Sequence, residues 1–125
     1  MQIADIQYRR GEIGKADKAV DFLNYILTND FTDLKVDQAR YSPMCNEHGG
    51  TVDDLIVYKR GENDYFVVVN AGNRDSDFAW MVDHRIDGGE LVNASEDWGQ
   101  LALQGPKAEA ILAKVADPAL IPAGY

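Results

Sequence analysis

Three β-prone runs, at 38–45, 51–59 and 65–70, follow one another with little between them but the turn-rich stretches NEHGG and RGEND. Links this short join antiparallel neighbours, because a parallel crossover needs a dozen or more residues. The meander limits the choice of fold more than any other feature of the chain. The middle run also carries an oddity: adjacent carboxylates, Asp53 and Asp54, inside a strand. Aspartate is among the residues least suited to that position.

The flanks supply helices. Ala19, Phe22, Leu23, Ile26 and Leu27 recur at the spacing of one helical face, with Asp17 placed as an N-cap. Further on, 74–84 reads as a second helix, with Phe78, Met81 and Trp80 as candidates for its buried side. The closing QGPKAEAILAKVADP reads as a third, with Pro106 in its first turn and Pro118 beyond its end. Short strands are expected at 2–9, 90–94 and 100–104. The sum is an α+β fold, a mostly antiparallel sheet covered by helices. No repeat, low-complexity run or Pro/Gly/Ser-rich linker divides the sequence, so 1–125 reads as one domain.

Charge narrows the partners. Twelve Lys and Arg against 21 Asp and Glu give a net charge of -9, which repels phosphate backbones and anionic membranes. Nucleic acid and membrane are therefore not expected partners. No apolar run approaches the roughly 20 residues of a membrane span, and MQIADIQYRRGEI lacks the apolar core of a signal peptide, so the expected location is cytoplasmic. The lone Cys45 excludes an internal disulfide. It reads as a buried or half-buried strand residue. His48 reads as solvated in a turn, His84 lies near a helix C-terminus, and Trp80 and Trp98 read as packing anchors. With no His/Cys cluster, no metal is expected.

Alternation divides the middle strand. Asp54, Ile56 and Tyr58 share one face, while Asp53, Leu55 and Val57 share the other, so the two aspartates diverge and cannot act as a converging pair. A symmetric NEHG loop sets Cys45 against Gly50 and Tyr41 against Asp54. A turn about Glu62 sets Val68 against Ile56 and Asn70 against Asp54. One face then gathers Tyr41, Asp54, Ile56, Val68 and Asn70, which suits a flat heterocycle bearing an amine. From alternation alone, Asp54 also fits a solvated edge residue or a turn-capping acceptor. Pro43 in the first strand points to an edge or a bulge.

The run ARYSPMCNEHGGTVDDLIVYKRGENDYFVVVNAGNRDSDFAWM, followed by WGQLALQGPKAEAIL, resembles the folate-binding region of the glycine cleavage system T-protein, an aminomethyltransferase. The resemblance extends from about Gly11 to the end. It implies that Asp54, the second aspartate of the pair, is the catalytic residue beside the folate. It implies that Tyr41, Ile56, Val68 and Asn70 form the pteridine wall and that Asp53 is structural. It further implies tetrahydrofolate as co-substrate, the lipoylated H-protein as partner and ammonia as a product. Complete family chains are much longer. The expectation is therefore a truncated folate-binding-type domain, inactive alone. The alternative is a stand-alone folate- or protein-binding module without catalysis, self-associating as a homo-oligomer.

Overall fold

The computed structural model describes residues 18–87 and 90–121. The strand expected at 2–9 and the Asp17 cap fall outside them. Helix α1, Ala19–Ile26, buries Ala19, Phe22, Leu23 and Ile26 on one side. Lys18 stands at its N-cap and makes no side-chain cap bond. Leu27 turns extended, closes the helix with its N–H on Leu23 O, and forms an isolated bridge to Met44. The last apolar residue of the helical pattern thus seals the helix to the sheet.

The sheet is the expected meander, in the order β1-β2-β3, with β1 at Ala39–Cys45, β2 at Thr51–Gly61 and β3 at Asp64–Val68. Asn46 builds the first turn, its Oδ1 accepting the N–H groups of His48 and Gly50 at 3.0 and 2.9 Å. Gly49 adopts φ 77°, a conformation that disfavours side chains.

Register departs from expectation at one ladder. Tyr41 lies opposite Ile56 and Pro43 opposite Asp54, two residues away from the anticipated Tyr41–Asp54 pair. Cys45 pairs with Thr51 rather than Gly50, and a bulge between Met44 and Cys45 supplies the second residue of the shift. A shift of two preserves faces where a shift of one would invert them. At the other ladder, Ile56 faces Val68 as expected, but β3 ends there, so Asn70 lies beyond the strand. Pro43 sits on an edge strand of the described sheet, next to the bulge.

Leu55, Val57, Tyr65, Val67 and Met44 face the helical layer and are buried with the α1 residues, Phe31, Leu34 and Met81. Fully burying one such aliphatic side chain contributes roughly 1.5–3 kcal/mol. Ser42 is also buried, and its Oγ accepts the N–H groups of Thr28 and Asn29 at 3.1 and 3.0 Å. It anchors the chain leaving α1. Helix α2, Arg74–Asp83, presents Met81 and, unexpectedly, Asp77 to the interior, with Phe78 and Trp80 half-buried.

The C-terminal expectations need correction. No strand forms at 90–94 or 100–104. In the first segment Asn93 Oδ1 takes the Ser95 N–H and hydroxyl at 3.1 and 2.6 Å, favouring a turn over a ladder. In the second, Leu101 is 95% exposed, so burial contributes little to holding the segment extended. The third helix covers only Ala108–Leu112, after Pro106, while Pro118 opens a 3-10 turn, Pro118–Leu120, capped by Asp117. Helix α3 buries no residue, so little packing offsets the backbone entropy of a longer helix. No described helix is long and apolar enough to cross a membrane.

Candidate functional site

The face of the sheet turned away from the core carries the residues of interest. Tyr41, Ile56 and Val68 form one row across the three strands. Tyr41 is 64% exposed, Ile56 half-buried and Val68 buried. One row along, Asp54 lies exposed opposite Pro43. Asn70 reaches it from beyond β3, its Nδ2 donating to Asp54 O at 3.1 Å and Asp54 Oδ1 at 3.2 Å. The five residues named from the sequence thus share one region. Asn70 arrives there through side-chain bonds rather than through a ladder.

The same amide serves the opposite face. Asn70 Nδ2 donates to Asp53 Oδ1 at 2.9 Å, and the Asn70 backbone N–H approaches Asp53 Oδ2 at 3.4 Å. Asp53 is buried beside α2, as alternation requires. Burial alone would push its carboxyl up. Hydrogen bonds from the Asp77 and Asn70 side chains, the Asp54 backbone and the Asn73 side chain outweigh this and hold it below the usual range. Asp77, only 1% exposed, is pushed up to about 7 by burial, then by its hydrogen bond to Asp53 and by the Asp53 charge. The sequence reading missed Asp77. Its signal was an aspartate one turn before Met81 on the inward side of α2, four residues apart.

A groove of about 300 Å³ continues the exposed face past Val68. Tyr58, Phe66, Val68 and Trp98 line it, with Arg60 at the wall. Tyr58 and Phe66 are cross-strand partners, their rings 6.5 Å apart and edge to face. Trp98 lies 5.2 Å from Phe66 and remains 51% exposed, so it is a groove wall rather than the packing anchor expected. Arg60 covers Phe66 at 5.0 Å while bonding Asp64 at 2.9 Å. Tyr58 was already on the Asp54 face by alternation, but nothing local tied Trp98 to it.

His84 stacks on Trp80 at 3.7 Å, with Nδ1 2.8 Å from Trp80 O and Nε2 3.4 Å from Glu47. The Trp80 carbonyl, and then Glu47, raise its pKa against the effect of burial. His48 is exposed and Cys45 half-buried and free, both as expected. Among the described residues no group of three or more His, Cys, Asp or Glu could hold a metal ion.

Comparison with known proteins gives a consistent result. Residues 12–122 match the family model of the GCVT N-terminal domain. The chain is 48% identical over 113 residues to an aminomethyltransferase of Listeria monocytogenes serotype 4b, covering 90% of this chain and 31% of that protein. It is 54% identical over 101 residues to an aminomethyltransferase of Bacillus mycoides, covering 78% and 28%. The crystal structure of glycine cleavage system aminomethyltransferase T from Bartonella henselae superposes with a TM-score of 0.70 at 32% identity, covering 90% of this chain and 29% of that one. The chain spans about three-tenths of the length of these relatives.

Proposed function

Because the chain belongs to the GCVT N-terminal domain family, we propose that it forms the folate-facing part of a glycine cleavage aminomethyltransferase. The observation that carries this reading is the row Tyr41, Ile56 and Val68 beside the Asp54 carboxylate, with the Asn70 amide bonded to it. An aromatic and two aliphatics next to one oriented acceptor suit a flat ring bearing an amine. The aromatic groove past Val68 extends that surface.

The substrates on this reading are tetrahydrofolate and the aminomethyl group on the lipoyl arm of the H-protein. The carbon passes to the folate, ammonia leaves and the lipoyl thiol is released. Asp54 orients the attacking folate amine and stabilises the positive charge that develops on it. Asn70 holds the Asp54 carboxylate in place for that role. Asp53 remains structural. A positioned carboxylate of this kind contributes roughly 10²- to 10⁴-fold to the rate. In a complete aminomethyltransferase containing this segment, Asp54→Asn lowers turnover by about that factor, whereas a near-normal rate rules out the role.

A second reading is a binding module without catalysis that self-associates. Large apolar residues left uncovered, Leu101 at 95%, Val115 at 83% and Leu120 at 78% exposure, favour it. A solution mass equal to one chain at high concentration counts against it.

A further inference from the structure

Four groups link the interior of the protein to the proposed site. Asp77 contacts Asp53, Asp53 accepts from the Asn70 amide, and that same amide donates to Asp54 on the opposite face. Two buried carboxyl groups in hydrogen-bond contact require a proton between them, since two ionised oxygens repel and neither donates. Its location follows from the donors. Asp53 already accepts from the Asn70 side chain and backbone, the Asp54 backbone and the Asn73 side chain. Asp77 has no such set, and its Oδ2 is buried without a hydrogen-bond partner. A partnerless carbonyl oxygen costs less when buried than a partnerless carboxylate. The proton therefore belongs to Asp77 and the negative charge to Asp53. Asp53 on β2 is the charged group acting on Asp77, while Arg74, one turn earlier on α2, is held by Asp75 and Glu96 at 2.9 and 2.7 Å.

We propose that Asp77 is a positioning residue: as a neutral acid it donates to Asp53, which fixes the Asn70 amide against Asp54. This deepens the folate reading and rests on it for its functional meaning. The coupling itself can be read without ligand. Asp77 touches no substrate and acts only through Asp53 and Asn70. Losing its proton puts a second charge beside Asp53, pulls the Asn70 amide toward the buried pair and releases Asp54.

The test is an NMR titration of the intact 125-residue chain, following the carboxyl carbons of Asp53, Asp54 and Asp77 and the side-chain amide of Asn70. The Asp77 carbon is expected to titrate with a midpoint of about 7, with the Asn70 amide and Asp54 moving at the same midpoint. Asp77→Asn, which keeps an N–H donor to Asp53, should abolish that step and hold Asn70 at its low-pH position. Asp77→Ala should displace the Asn70 amide. The Asn variant should restore tetrahydrofolate affinity that the Ala variant weakens by roughly tenfold. A merely structural Asp77 would lower the melting temperature and leave the Asn70 and Asp54 signals in place. The proposal is overturned if Asp77 titrates and Asn70 does not follow, or if a folded Asp77→Ala protein leaves both signals unmoved. Should the Ala variant not fold, the wild-type titration decides alone. If Asn70 follows Asp77 but the wild type shows no tetrahydrofolate response, the coupling stands and the folate reading falls.

Discussion

Replacing Asn70 by alanine removes one amide from three acceptors: Asp53 Oδ1 at 2.9 Å, Asp54 O at 3.1 Å and Asp54 Oδ1 at 3.2 Å. The three do not count equally. Asp54 is exposed, so water replaces the lost donor there at little cost. Asp53 is 6% exposed and charged, so its loss dominates. A hydrogen bond to a charged group is worth about 1.5–3 kcal/mol. The remaining donors to Asp53 place the expected loss near the middle, at about 2 kcal/mol. Urea denaturation of wild type and Asn70→Ala should show a lower midpoint with an unchanged slope, since the exposed surface on unfolding is nearly the same. Asn70→Asp, which sets a further carboxylate beside Asp53 and Asp54, should lose more. A midpoint for Asn70→Ala within about 0.5 kcal/mol of wild type would refute the argument that the buried Asp53 charge depends on this amide.

Stability should also depend on pH through the Asp53–Asp77 pair. The folded pKa of Asp77 lies at about 7, above the ordinary 3.8, so its contribution is full below about 4, declines as pH rises to about 7, and is flat above. The slope is at most ~1.4 kcal/mol per pH unit. Asp53, held low, acts in the opposite sense below its ordinary range, so the pair favours the folded state most near pH 4. Denaturation midpoints across this window should fall for wild type and stay level for Asp77→Asn once other groups cancel; parallel curves would contradict the pairing. Ser42→Ala leaves the Thr28 and Asn29 N–H groups without their buried acceptor and should cost about 1–3 kcal/mol in the same assay, an unchanged midpoint showing that water substitutes. Trp98→Ala removes the ring against Phe66 and should cost only about 0.5–1.5 kcal/mol, because Trp98 is half exposed. A cooperative loss of fold in that variant would mean Trp98 is a packing anchor after all.

The sheet could be read from the sequence because its determinants are local. Turn residues set the strand order, and alternation set the faces, so Asp53 went inward and Asp54 outward without knowledge of any contact. The ladder between β1 and β2 was displaced because the turn is one residue longer than a symmetric NEHG loop and the bulge at Met44/Cys45 adds a second, and Pro43 marked an edge or a bulge without fixing which. The grouping of Tyr41, Asp54 and Ile56 survived only because the displacement was even. What failed depended on distant partners. The segments 90–94 and 100–104 have strand-like composition but pair with neither outer strand of the sheet, and α3 stays short because it buries no residue. Asp77 and Trp98 are site-adjacent through packing across the chain. No spacing rule joins Asp77 on α2 to Asp53 on β2, and none brings Trp98 over Phe66.

Titrating this chain with tetrahydrofolate while following its amide NMR spectrum, in parallel with Asp54→Ala, asks whether this face of the sheet meets folate. Saturable shifts are expected, centred on Tyr41, Ile56, Val68 and Asn70, extending to Phe66 and Trp98 and weakened in the variant. Shifts clustered elsewhere, or none up to millimolar ligand, would contradict a folate-facing surface on this face of the sheet.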